Sequence, residues 1–268
     1  MTINGNGRWD CKVLKEQPPL DGTMQLAAMK RIASIGLPWR VRDQKTGIVM
    51  LLCAPDSLVI GSTISEYGHQ PDETILAVTI KEPYYLAECA VTQEAWARIM
   101  GSDPSVSPAP GHPVNNVSAW ECLEFAKRCG PGFRLPHEAE WENACRAGST
   151  TPFSHAAMID AIQMNCKVRR NERTPEVGVS RNATVPVGSM PPNRWGFHEM
   201  HGNVWEWCSA ASSRTARLGD RKIPTVLRGG SWGNYPHSCR SASRLARIPE
   251  YRRKTAGFRL ARDVTPPP

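Results

Sequence analysis

The chain has 268 residues, 40% of them apolar and 22% charged, a core-forming composition that excludes a disordered or collagen-like polymer. No run approaches the ~18 apolar residues that span a bilayer, no secretory leader is evident, and nine cysteines without a CxxC spacing suit reduced thiols, so a cytoplasmic protein with no membrane role is expected. The net charge of +8 is uneven: thirteen Lys/Arg and three acidic residues lie from Ala211 onward, giving +10 there and −2 in the preceding 210 residues.

The first twenty residues show little pattern. Asp21-Gly22-Thr23 then starts a helix with Leu26, Met29 and Ala33 on one face, closed by Gly36. One short amphipathic helix cannot form a core alone, so 1–36 reads as an extension packed on the main domain. Leu37–Arg42 and Gly47–Leu52 read as strands around an Asp43–Thr46 turn. Thr92 caps a helix through Ala95, Trp96, Ile99 and Met100, and Gly101 stops it. Ser118 with Glu121 forms a capping box for a helix through Leu123, Phe125 and Ala126 to Cys129. Pro136 fits the first turn of a helix running through Trp141 and Ala144 to Gly148. Beyond Gly148 loops and short strands are expected, with Gly and Pro punctuation and a frayed tail over 263–268.

Several motifs stand out along this path. They are Tyr84–Glu88 leading to Val91–Trp96, His112–Ser118, Phe133–Glu142, Asn193–Phe197, Gly202–Trp207, Arg228–Trp232 and Gly257–Arg259. Trp205 and Trp207 alternate, so an extended segment points both to one face. Arg228 and Arg259 flank glycines and can satisfy loop carbonyls that no sheet reaches. Taken in order, these motifs make the chain, over roughly 37–262, resemble the formylglycine-generating enzyme/sulfatase-modifying-factor domain family. The resemblance implies a single α+β domain with a C-type-lectin-like fold rich in irregular loops.

Formylglycine-generating members of that family are copper-dependent oxidases with two cysteines, five residues apart, shortly after the Arg-Gly-Gly-Ser motif. Soft thiolates suit Cu(I). Here the second position is Cys239 and the first is Asn234, which cannot serve as a thiolate, so copper is not expected. Cys208 and His237 are weaker substitutes. His198 and His201 form the one close histidine pair, in a turn-like segment where structural or solvent-exposed roles are expected. The resemblance also implies a calcium site, carried onto Glu199, Gly202, Val204 and Glu206; oxygen donors with two carboxylates suit calcium. A second family calcium site keeps Asn165, but its acidic position falls near Val179 or Arg181 and is lost.

Another branch of the family contains the variable proteins of diversity-generating retroelements, whose C-terminal segment between the Arg-Gly-Gly-Ser-Trp and Gly-Phe-Arg motifs is diversified for recognition. The corresponding stretch is Gly233–Arg253. Its residues at the non-frame positions are of the types that mutated adenine codons produce. Tyrosine gives rigid amphipathic contact area, and Ser, His and Arg give adaptable polar groups. The expected ligand-binding set is Gly233, Asn234, Tyr235, His237, Ser238, Ser243, Leu245, Arg247, Tyr251 and Arg252, all exposed. Trp232, Ala242, Arg244, Phe258 and Arg259 should form the buried frame. The leading reading is a non-catalytic domain that binds an unidentified protein or other ligand through this segment. A basic face can also meet nucleic acid, but Arg serves structural roles in loop-rich folds, so that partner ranks lower. The alternative is the copper-dependent oxidase acting on a sulfatase cysteine.

Overall fold

Two sheets and three well-capped helices set the stage for the C-terminal segment. The protein is described here by a computed structural model covering residues 2–3, 9–19, 24–155, 163–168, 170–171, 174–175, 180–209 and 225–264. In chain order the elements are β1 (Thr2–Ile3), β2 (Trp9–Lys15), α1 (Leu26–Ser34), β3 (Arg40–Asp43), β4 (Val49–Cys53), β5 (Asp56–Ile60), β6 (Leu76–Ile80) and β7 (Tyr84–Ala87). They continue with α2 (Gln93–Met100), α3 (Ala119–Cys129), β8 (Phe133–Arg134), α4 (Glu138–Arg146), β9 (Arg170–Asn171) and β10 (Thr174–Pro175). The last are β11 (Trp205–Ser209), β12 (Thr225–Arg228), a 3-10 turn at Pro236–Cys239, β13 (Arg244–Arg247), β14 (Ala256–Gly257) and β15 (Ala261–Asp263).

The larger sheet has the order β1-β2-β3-β4-β7-β15-β8, and a second runs β13-β12-β11-β14; β5 and β6 form a separate ribbon. The expected α+β architecture is present. Helix starts follow local chemistry closely. The Thr92 hydroxyl accepts from the Ala95 N–H at 3.1 Å, and Gly101 closes α2 at φ 84°. Ser118 and Glu121 make the reciprocal capping box of α3. Between the helices and the sheet, Trp96, Phe125 and Phe258 pack ring against ring, with Trp96 stacked on Phe125 at 5.3 Å.

Four expectations need correction. Residues 1–36 are no mere appendage: β2 pairs with β3 inside the large sheet, and Trp9 and Cys11 belong to the main core. Here Lys12 is exposed while Trp9 and Cys11 are buried, an alternation too short to stand out in the sequence. In α1 the buried face is Ala28 and Ile32, whereas Leu26 and Ala33 are exposed. Pro136 lies outside α4, whose N-cap is His137, with the Glu140 carboxylate accepting the His137 N–H at 2.7 Å. Asp263 ends β15, paired with Tyr84, and Val264 is buried, so the fold extends past 262. The expected helix start at Asp21-Gly22-Thr23 lies outside the described residues. No described helix is long and apolar enough to cross a membrane.

Candidate functional site

β12 delivers the chain to Arg228, and the segment that follows runs through a 3-10 turn, pairs back on β12 as β13, and reaches β14 on the far side of β11. Two buried arginines hold this path, and a third ties the motif that follows it to the rest of the core. Arg228 donates to the carbonyls of Ser241, Ala242 and Ser243 at 2.7–2.8 Å and pairs with Glu142 of α4. Arg240 donates to the His237 carbonyl at 2.8 Å and pairs with Glu73 at 2.6 Å and Glu66 at 2.5 Å. Arg259 donates to the carbonyls of Ala87, Glu88 and His198 and clasps Glu206 through two bonds, at 2.6 and 2.9 Å. Burial opposes each guanidinium's charge, and facing carboxylates outweigh it, so all three stay firmly protonated. A loop without a ladder leaves carbonyls to be satisfied, and a planar five-donor head can serve several at once.

The neighbouring motif residues serve the same frame. The carboxylates of α4 each receive an arginine: Glu138 from Arg244, Glu140 from Arg134, Glu142 from Arg228 and Arg146. Gly230 has φ 73°, and a Cβ there would collide with the Cys239 sulfur and the Ser238 carbonyl. His201 is buried beneath the segment; its Nδ1 donates to the Cys239 carbonyl at 2.8 Å, and its Nε2 accepts from the Ser154 N–H at 3.0 Å. Burial pushes its pKa down to about 4.

Outside this frame the segment divides. Gly233, Arg247 and Arg252 are exposed, as are Ala246, Ile248, Arg253 and Lys254; Tyr235, His237 and Ser238 are half-buried. The Arg247 and Arg253 guanidiniums lie 5.4 and 5.6 Å from the Tyr251 ring centre, and the Lys254 ammonium lies 5.1 Å over Trp232. Arg252 pairs with Glu121 at 2.6 Å.

Several positions expected on the display face belong to the frame. Ser243 is buried, its carbonyl taken by Arg228. The Asn234 amide oxygen accepts from the Trp205 indole at 2.8 Å and the Ser231 hydroxyl at 2.6 Å, so its side chain is turned inward. Leu245 and Tyr251 are half-buried against the main core, with the Tyr251 and Trp207 rings nearly perpendicular, centres 6.3 Å apart. Conversely, Trp232 and Arg244, expected in the buried frame, are half-exposed, Arg244 pairing with Glu138 and Asp72. Ala242, Phe258 and Arg259 are buried as the frame requires.

The residues assigned to calcium do not fit that ion. Both Glu206 oxygens take bonds from Arg259, and one also from the Trp141 indole. The Glu199 oxygens accept the Gly188 and Met190 N–H groups, both at 2.9 Å, and burial pushes that carboxyl up. Gly202 and Val204 supply backbone only, and a guanidinium already sits where the positive charge would be. Asn165 keeps one buried oxygen without a protein partner, but Arg181 reaches the adjacent Met164 carbonyl at 3.4 Å; Val179 lies outside the described residues.

Copper fits no better. Asn234 is engaged, and Cys239 is fully buried with its thiol pushed far up by desolvation, the opposite of a thiolate ligand. Cys208 belongs to the main core, while Cys239 sits in a small cluster with Phe153, Met164 and Cys166. His198 Nδ1 donates to the Met190 carbonyl and His201 Nδ1 to the Cys239 carbonyl, so the pair serves two different loops. Among the described residues no group of three or more His, Cys, Asp or Glu is placed to hold a metal.

Two contributions were missed in the sequence. The loop between β5 and β6 packs on the 3-10 turn, and Lys167 lies 5.1 Å over Tyr235, brought there by its N–H bond to the Asn234 carbonyl. Neither carries a local motif.

Comparison with known proteins places this arrangement. The model of the sulfatase-modifying factor enzyme 1-like domain matches residues 49–264. The formylglycine-generating enzyme of Streptomyces coelicolor is 32% identical over 212 residues, covering 72% of this chain and 65% of that protein. The chain thus spans less than two thirds of that relative's length. Among solved structures, PvdO from Pseudomonas aeruginosa superposes with a TM-score of 0.70 at 27% identity, covering 84% of this chain and 98% of PvdO. Treponema denticola variable protein 1 superposes with a TM-score of 0.66 at 24% identity, covering 81% and 95%. The second likeness bears on fold alone.

Proposed function

The chain belongs to the sulfatase-modifying factor enzyme 1-like domain family, and we propose that within it this protein is a non-catalytic binding domain whose C-terminal segment is the recognition surface. The observation that carries the reading is the partition of that segment. Its path is fixed from beneath by Arg228 and Arg240, and Arg259 anchors the motif that follows it to Glu206, while Gly233, Tyr235, His237, Arg247 and Arg252 contribute little to the core. Side chains on such a face can change without unfolding the frame, which is what a diversified binding protein needs. Sharing its fold with a protein named as variable is compatible with that role. The oxidase alternative lacks its first cysteine and has its second protonated and buried.

The test is a combinatorial library at Gly233, Tyr235, His237, Ser238, Arg247 and Arg252, scored for soluble expression and then for binders. Most members should fold. A library that mostly fails to fold makes this segment core and removes the recognition reading. Whether the segment is diversified in nature is read from the flanking DNA: a near-repeat of its coding sequence beside a reverse-transcriptase gene is the expected finding.

A further inference from the structure

The displayed segment does not face solvent alone. Gly68, in the loop between β5 and β6, has φ 82° and lies so close that a Cβ there would stand 2.6 Å from the His237 Cβ. Arg240 bonds the Gly68 carbonyl at 2.6 Å and the Glu66 and Glu73 carboxylates of the same loop. The loop is therefore clamped to the 3-10 turn by a buried ion pair, and its tip leaves Ile64 91% and Tyr67 72% exposed. Large apolar side chains so exposed, held by a rigid support beside a recognition segment, suit a contact anchor.

The rest of the face is cationic and aromatic. Lys167 lies over Tyr235, which stacks on His237 at 6.3 Å; Lys254 lies over Trp232; Arg247 and Arg253 flank Tyr251. Acidic groups nearby are engaged: Glu66 and Glu73 by Arg240, Glu121 by Arg252, and Glu250 by the Trp120 indole. Single-stranded nucleic acid binds such surfaces by stacking bases on open rings. Here Trp232, Tyr235 and Tyr251 each carry a cation over the ring, which leaves less open stacking surface, and Ile64 adds a fixed apolar contact.

We infer that the recognition face is composite, with Ile64 and Tyr67 as an apolar anchor beside the displayed segment, and that its partner is a protein presenting carboxylates around an apolar centre. This rests on the reading of the segment as a recognition surface. The ring-held cations supply the charge complementarity, and the loop tip supplies the apolar contact.

A random 15-residue peptide library displayed on phage and panned against the full chain tests the inference. Recovered peptides should combine Asp or Glu with Phe, Leu or Trp. Their binding should weaken about tenfold on the double variant Arg253→Glu/Lys254→Glu and about fivefold on Ile64→Ser/Tyr67→Ser. The control Lys12→Glu/Lys15→Glu, with the same charge change on β2, should leave it unaltered, and melting should be unchanged in all three because every site is exposed. Neutral or basic peptides, or peptides indifferent to the loop variant, would overturn the inference. So would an oligothymidylate that binds more tightly and ignores Ile64 and Tyr67. Failure of the underlying reading shows elsewhere, as loss of folding in the library of displayed positions.

Discussion

Arg228, Arg240 and Arg259 lie in the same stretch of chain as Arg247, Arg252 and Arg253, yet the two sets do opposite things. The first set is buried, each member serving two or more backbone carbonyls and at least one carboxylate. The second set is exposed, and its members touch a ring, a surface glutamate or a neighbouring carbonyl. A basic composition is therefore not by itself a function. An arginine becomes structural where carbonyls outnumber ladder partners and a buried carboxylate is in reach.

The contrast is sharpest at Arg259. Arg259→Met leaves Glu206 buried with only the Trp141 indole, and about 3–5 kcal/mol of stability should be lost, measured by urea unfolding. A loss below about 1 kcal/mol would place Arg259 with the displayed set. Next in size is pH. His201 binds its proton less readily folded than unfolded, so its contribution is complete above pH ~6.5 and declines as the pH falls towards 4. About 3 kcal/mol should disappear across that window, and His201→Gln should flatten that part of the profile.

Asn234→Cys, which restores the family's first cysteine, should cost about 1–3 kcal/mol, because the Trp205 indole and Ser231 hydroxyl lose their acceptor. Neither this variant nor the parent should convert a Cys-x-Pro-x-Arg peptide to the aldehyde with copper and oxygen. Product seen by mass spectrometry would contradict the buried, protonated state of Cys239. On the displayed side, Arg252→Ala removes a partly exposed pair and should shift stability by less than about 0.5 kcal/mol in thermal unfolding. The smallest effect is expected from calcium: melting in calcium and in chelator should coincide, since Arg259 already occupies the Glu206 carboxylate. A clear calcium shift abolished by Glu199→Gln would show that the ion displaces the guanidinium.

Much of this was legible from residue order. The caps of α2 and α3 are local chemistry within four residues, and both were readable to the residue. The motifs around Arg228, Gly257 and Glu206 named the family because each needs a particular residue type in a particular backbone setting. The obstacle to the calcium assignment is one that no local pattern contains: Arg259, fifty-three residues away, bonds Glu206. The display set erred at Asn234 and Ser243 for the same reason. A polar residue in a loop reads as exposed until the fold shows which carbonyl or indole it faces.

Residue order alone was enough for the family, the caps of α2 and α3, and the limits of the segment between Arg228 and Gly257. Each of these depends on neighbours within a few residues or on glycine and arginine types that few backbones tolerate. Which arginines are clamps, which carboxylates are spoken for, and that the β5–β6 loop stands beside the displayed turn follow from packing. Those outcomes depend on contacts such as Arg240 with Glu73, 167 residues apart, where burial and charge pairing are set by packing rather than by order along the chain.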